Sequence, residues 1–424
     1  MNRISRILSP KLLRIALPLC GIVIISRTFP RFSGIYYALP LFLVWFIAVA
    51  WKYFSIKEFK ALMTLTAVSG IWILLTAAWS SYPLISLYRG GYFILLSIGL
   101  IAGGYISAKE GKNPAAGFLL WANIAVAALS LYSFAAGVPA DAWTGGHGKG
   151  FMGFAGHQNL LASAILFTVP SSLYFFIAQK APSKFISGST LSNLLSVFLL
   201  LLNIFFLIIT FSRASLLSYI IMVALFGIFL FKWKAVIAYL IFAAAFAALF
   251  LIDAPFKASI EKALYKDFPT LLFSREILVE PSYHAALKGG AVGLGYGISD
   301  PEIILPGVTG SIYVDGRYIR EKGNSVLALV EETGVIGLVL FLLPVFYVMK
   351  NPRIRGIGNE DAADKKEGVH LSSKMINAFL FSALIAFIIH AQFEAWWAGP
   401  GSVQLPLFFI YLGALAAPKE QGGR

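Results

Sequence analysis

The chain has 424 residues, 58% of them apolar and only 13% charged, with a mean hydropathy of +0.79. A soluble domain holds roughly 45–50% apolar and 25% charged residues, so a water-soluble fold, a disordered chain and a disulfide scaffold are excluded and an all-α polytopic membrane protein is expected. The net charge of +14 follows from cations gathered in alternate loops, as the positive-inside rule requires, and gives no reason to invoke nucleic acid.

Twelve apolar stretches follow in order, at about 15–30, 37–52, 61–80, 91–108, 116–138, 159–178, 191–211, 214–231, 235–252, 326–349, 376–393 and 403–418. The first is short and preceded by Arg3, Arg6, Lys11 and Arg14, as in a signal peptide. Arg27-Thr28-Phe29-Pro30 follows it instead of a small-residue cleavage site, so an uncleaved first span is expected. The single cysteine, Cys20, lies in this stretch as a lipid- or helix-facing filler. Lys and Arg concentrate in the N-terminal tail and in loops near 52–60, 109–115, 179–190, 232–234 and 350–375. The short loops of the other set carry only Arg27, Arg31, Arg89, Lys149 and Arg213. Both termini are therefore expected in the cytoplasm.

Four segments result: 1–140 with spans one to five, 141–252 with spans six to nine, a large outer loop over 253–325, and 326–424 with the last three spans and a cytoplasmic connector at 350–375. A structureless loop this long is unusual, so the outer loop is expected to contain helices. Phe256, Ile260, Leu264 and Phe268 form one helical stripe suited to a membrane surface. Glu276, Glu280, His284 and Lys288 form a second, with Pro281 either kinking that helix or starting another. A glycine-rich turn, Gly289-Gly290 to Gly293-Leu294-Gly295-Tyr296-Gly297, comes next. It lacks a preceding strand and a phosphate-loop Lys-Ser/Thr, so it is read as a tight turn and not a nucleotide site.

Arg213, in Thr210-Phe211-Ser212-Arg213-Ala214-Ser215, stands against the charge trend. It is either an arginine snorkelling to the interface or a phosphate clamp, since guanidinium matches phosphate oxygens. The outer loop adds Arg275, Lys288, Arg317, Arg320 and Lys322, which either bind an anionic head group or pair with Glu276, Glu280, Asp300, Glu302, Asp315 and Glu321. His147, His157 and His284 match no metal-ligand spacing, and no metal is expected. His390 and Glu394, one helical turn apart, are either functional or an interhelical hydrogen-bond pair. Asn324 or Ser325 caps the tenth span, and Glu331 and Glu332 must face the bundle interior and find partners. Trp143, Tyr283, Tyr296, Tyr313, Tyr318, Trp396 and Trp397 lie on or near the outer side, the last two suited to an interfacial aromatic belt.

Four segments in this order resemble the O-antigen ligase and polymerase superfamily. They are Gly150-Phe151-Met152-Gly153 to His157-Gln158-Asn159-Leu160-Leu161-Ala162; Phe211-Ser212-Arg213-Ala214; Arg275 with Gly293-x-Gly-x-Gly297; and Asn324-Ser325-x-Leu327 with Glu331/Glu332-x-Gly334-x-x-Gly337. The resemblance covers about residues 145–343. It implies about twelve spans, one large extracytoplasmic loop and a GT-C-like glycosyltransferase fold in a bacterial inner membrane, with the active site facing the periplasm. It further implies metal-independent transfer, without a cofactor, from an undecaprenyl-pyrophosphate-linked oligosaccharide to an acceptor glycan, and a chain-length regulator as a possible partner beside the lipid bilayer. Arg213, with Arg275, Lys288, Arg317, Arg320 and Lys322, would hold the pyrophosphate; Asn159, His157, Tyr296 and Asn324 would touch glycan. Ligases of this family carry a histidine base just before the Asn-x-x-Leu run, where this chain has Gly323. His284, Glu280, Glu321 and Glu394 are the candidate substitutes. The departure points to a polymerase of O-antigen or exopolysaccharide repeats. The alternatives are a ligase acting on a lipid A core and, from another class, a transporter or flippase without chemistry.

Overall fold

Helices form along the apolar stretches, three of them opening on proline and the one from Ser325 on the Asn324 cap. The computed structural model describes residues 10–110, 114–138, 150–178, 190–255, 257–258, 261, 273–300, 312–314, 317–319, 322–350 and 367–417. In chain order these form α1 (Pro10–Ser26), α2 (Leu39–Ala50), α3 (Lys57–Leu75), α4 (Pro83–Glu110), α5 (Pro114–Ala135), α6 (Gln158–Ala178), α7 (Thr190–Ile209), α8 (Arg213–Phe231), α9 (Trp233–Ile252), α10 (Phe273–Gly289), α11 (Ser325–Met349), α12 (Glu367–His390) and α13 (Gln404–Ala416). Pro10, Pro83 and Pro114 each open a helix, at the position where the missing N–H costs nothing. A short hairpin, β1 (Ile312–Val314) with β2 (Arg317–Ile319), pairs Tyr313 with Tyr318 and was not expected from the sequence.

Each predicted apolar stretch overlaps one helix, and α10 comes from the 253–325 segment. Among the described residues, six helical segments are long and apolar enough to cross a membrane: Pro30–Tyr53, Lys57–Ala78, Pro83–Lys109, Arg213–Phe231, Trp233–Ile252 and Ser325–Met349. They suggest a multi-pass membrane protein. α9 is apolar on every side and almost wholly exposed, which suits contact with hydrocarbon. α10 runs unbroken through Pro281. The Phe256–Phe268 stripe lies outside the described residues.

α13 is buried along its whole length and packs on α4. The two backbones approach closely because a Cβ at Gly104 or Gly413 would strike the other helix's main chain. Cys20 is buried and faces its neighbours, not lipid. A buried amide pair ties α5 to α7: Asn123 Nδ2 donates to Asn203 Oδ1 at 3.1 Å and Asn203 Nδ2 donates to Asn123 Oδ1 at 3.0 Å. Asn123 Nδ2 also donates to Thr168 Oγ1 on α6, at 3.1 Å.

α11 is two half-helices joined at Gly334, whose φ of 72° and ψ of 176° are not helical. The glycine-rich turn before it fills the break. Leu294 N and Gly295 N donate to the carbonyls of Glu331 and Glu332, at 2.9 and 3.0 Å. Val335 N and Ile336 N donate to the carbonyls of Gly290 and Ala291, at 3.0 and 3.2 Å. Trp72 Nε1 donates to Thr333 O and Trp79 Nε1 to Gly293 O, both at 2.9 Å. A broken helix survives in a low-dielectric setting only when its freed backbone groups find such partners. The sequence pattern over 326–349 predicts one uninterrupted span, because the break depends on a loop that comes from elsewhere.

Candidate functional site

Three helix starts meet at one end of the bundle, against the segment that follows α12. At the start of α6, His157 Nδ1 accepts from Asn159 N at 3.1 Å, so His157 caps the helix. Asn159 Nδ2 donates to Glu394 Oε1 at 3.3 Å. At the start of α11, Asn324 Oδ1 accepts from Val326 N and Leu327 N at 2.8 and 3.0 Å, while its Nδ2 donates to Gln392 O at 2.9 Å. Ser325 Oγ donates to Glu394 O at 2.6 Å, and Ser325 N to Ala391 O at 2.8 Å. Arg213 opens α8, partly buried, directly after its N-cap Ser212. Upstream of α6, Gly150 N donates to Gln158 Oε1 at 2.9 Å and Phe151 N to Ile209 O at 2.8 Å. These bonds hold the approach to α6 against the α7–α8 junction.

His390 ends α12 and is fully buried. Its Nε2 lies 3.1 Å from Ser215 Oγ on α8 and 3.4 Å from Ser163 Oγ on α6. Trp396 Nε1 donates to its Nδ1 at 3.2 Å. His390 is thus an interhelical hydrogen-bonding residue. Glu394 lies beyond the helix end, in a turn, and not one helical turn further along α12.

A second cluster surrounds the break in α11. Glu331 and Glu332 face the interior and share Lys322, whose Nζ is 3.2 Å from Glu331 Oε2 and 2.6 Å from Glu332 Oε1. Lys322 Nζ also donates to Ile298 O at 3.4 Å. Each carboxylate takes one backbone amide as well: Asp300 N donates to Glu331 Oε1 at 3.0 Å and Gly297 N to Glu332 Oε2 at 2.7 Å. Arg89 extends the cluster by donating to Gly297 O and Ala398 O, at 3.2 and 3.1 Å.

The structure separates the predicted site residues into groups. Asn159, Asn324 and Glu394 come together, with Arg213 on the neighbouring helix start. Lys322 is only 7% exposed, and its three ammonium protons face three acceptors, so it serves as a structural cation here and not as a phosphate ligand. Lys288 pairs with Asp300 at 2.8 Å. Tyr296 is fully buried and edge-on to Phe93, with ring centroids 5.7 Å apart, so it presents no face to a sugar. Burial, the Glu332 carboxylate and, in the opposite sense, Arg89 act on its hydroxyl, and the balance pushes the pKa well above the ordinary tyrosine range. Asn324 has its amide committed to the cap and to Gln392. Glu280 and His284 lie on the exposed stripe of α10 with Glu276 and Lys288. Trp396 and Trp397 are buried core residues and not an interfacial belt, because the segment after α12 folds back into the bundle. Arg320 and Glu321 lie outside the described residues, as do the side chains of Arg275 and Arg317. Sequence reasoning missed Ser163, Ser215 and Trp396 as partners of His390, and Arg89 as an anchor of the glycine turn. The one signal available for Arg89 was its place among the few cations on the side that the charge pattern predicts to be outer.

No protein-family model matches the chain, and no curated protein matches it in sequence.

Proposed function

We propose that the chain is a twelve-span bacterial inner-membrane glycosyltransferase that polymerises lipid-linked glycan repeats on the periplasmic face. The observation that carries this reading is the convergence of Asn159, Glu394 and the starts of α6, α8 and α11 at one end, with Arg213 opening α8. Helix starts carry partial positive charge and arginine adds a forked donor, which together suit a departing lipid pyrophosphate. In the reaction, an acceptor hydroxyl oxygen forms a bond to the anomeric carbon of the donor sugar. The bond from that carbon to the pyrophosphate oxygen breaks, and its electron pair leaves with the pyrophosphate beside Arg213. Glu394 takes the hydroxyl proton.

Gly323 favours a polymerase over a ligase. A Cβ at this buried position would come 2.7 Å from Leu278 Cβ, so the site has no room for the ligase histidine. The transporter alternative draws on the broken helix α11. Its freed backbone groups are already bonded to the glycine turn and to Trp72, which leaves them unsuited to holding an ion.

The test is a reconstituted reaction with a polyprenyl-pyrophosphate oligosaccharide and no added metal. The wild type is expected to build a ladder of longer lipid-linked glycans. Arg213→Ala is expected to lose about 10²–10³-fold in rate, with Arg213→Lys recovering only part, and Glu394→Gln about 10²–10⁴-fold. Glycan appearing only on added lipid A core would replace the polymerase reading with the ligase. No transfer by folded wild-type protein to either acceptor would overturn both.

A further inference from the structure

Resting on the glycosyltransferase reading, we propose that His390 is the positioning residue that sets Asn159, Arg213 and Glu394 in register. Trp396 Nε1–H can only donate, so the Nδ1 that accepts from it carries no proton. The neutral ring therefore holds its proton on Nε2 and donates it toward Ser215 Oγ at 3.1 Å, with Ser163 Oγ at 3.4 Å. Each of these partners stands next to a residue of the proposed site. Ser163 Oγ donates to the carbonyl of Asn159 at 2.7 Å, one turn earlier on α6. Ser215 follows Arg213 by two residues on α8, and Ser212 Oγ donates to its hydroxyl at 3.2 Å. The His390–Trp396 bond closes the turn that carries Glu394, whose carboxylate meets Asn159.

One imidazole thus ties α6, α8 and the segment after α12 together, and its tautomer sets the direction of every bond. Phe167 packs edge-on against the His390 ring, with centroids 5.9 Å apart, and edge-on against Trp396, at 5.4 Å. That packing leaves the ring little freedom to turn. His390 does not need to touch substrate. Catalytic groups displaced by about 1 Å lose rate by about a hundredfold, and this is the error the ring prevents.

The experiment compares purified His390→Phe, His390→Gln and Trp396→Phe with wild type in the polymerisation assay. Each is normalised to folded protein by size-exclusion chromatography and thermal melt. His390→Phe fills the space and removes every hydrogen bond; its kcat is expected to fall about a hundredfold, with KM for the lipid-linked donor within about twofold. His390→Gln restores a donor toward the serines and is expected to recover about tenfold of that loss. An effect confined to KM, a His390→Phe rate within about threefold of wild type, or no recovery in His390→Gln would overturn the proposal.

A second measurement does not depend on activity. In ¹⁵N-histidine spectra, the resonances that vanish in His390→Phe are expected to show the Nε2–H tautomer in wild type and a tautomer mixture in Trp396→Phe. An Nδ1–H tautomer in wild type would refute the positioning role even if the protein transfers glycan. The expected tautomer in a protein that transfers nothing would keep His390 as the tie between these helices and overturn only the transfer reading.

Discussion

Replacing Lys322 with methionine tests whether the ion cluster at the break in α11 is structural. The methionine side chain fills most of the lysine volume and removes only the ammonium. Glu331 Oε2 and Glu332 Oε1, which lie 3.2 and 2.6 Å from Nζ, then lose their common cation. The side chains of Glu331 and Glu332 are 0% and 4% exposed, so water cannot replace it without opening the fold. Removing one partner of a buried ion pair costs about 3–5 kcal/mol. Each carboxylate keeps a backbone amide, from Asp300 or Gly297, which places the expected loss near the lower end, about 3 kcal/mol. That is about a hundredfold in the folding equilibrium. Tryptophan fluorescence during denaturant titration in micelles suits the assay, because Trp72 and Trp79 are hydrogen-bonded to the broken helix and its turn. Adding Glu332→Gln to Lys322→Met removes one of the two stranded charges and is expected to recover about 1–2 kcal/mol. A Lys322→Met protein within about 0.5 kcal/mol of wild type, or a double variant weaker than the single one, would refute the reasoning.

Three further outcomes are expected. Gly334→Ala forces a Cβ into the left-handed region and against the carbonyl of Ala291, so it should cost at least about 2 kcal/mol in the same titration. Gly323→His should lower stability without producing transfer to lipid A core; pairing it with Leu278→Ala should restore stability, and ligase activity in that pair would show that the missing histidine alone separates the two reactions. Asn123→Ala should strand Asn203 and cost about 1–3 kcal/mol, whereas Asn123→Ala with Asn203→Ala should cost less than the sum of the singles in a double-mutant cycle.

Helix positions were legible because hydropathy is a local property, and every predicted apolar stretch from 15–30 to 403–418 contains helix. The inward direction of Glu331 and Glu332 was legible for a similar reason: a charge in an apolar helix has one tolerable direction. Their partner was not. Lys322 lies in the loop just before α11 and reads as one more surface cation until the fold returns it to the helix. The Gly334 break was hidden because an apolar sequence around a single glycine looks helical, and only the inserted 289–297 turn makes the non-helical backbone tolerable. An aromatic residue near a predicted outer boundary reads as exposed, but the segments that carry Tyr296 and Trp396 both fold back inside. Asn159, Arg213 and Glu394 were legible as candidates because polar residues at helix ends are few in so apolar a chain. Their common end of the bundle follows from topology. Their register depends on His390, which its place in an apolar helix marks out, and on its partners Ser163, Ser215 and Trp396, which no local pattern reveals.

The two clusters are mechanically one object, because both grip the same short piece of helix. The first half of α11, from Ser325 to the break at Gly334, is held at its start by Asn324 and Ser325 to Ala391, Gln392 and Glu394. At its other end Glu331 and Glu332 hold it to Lys322 and to the glycine turn. Gly334 ends this half-helix, and the glycine turn bonds both to it and to the segment that follows. The same half-helix is thus bonded at one end to the segment that presents Glu394 to Asn159 and at the other to the ion cluster. A perturbation of the ion cluster that leaves the protein folded should consequently change the rate of transfer before it changes donor binding, although Lys322 itself has no place among the reacting groups.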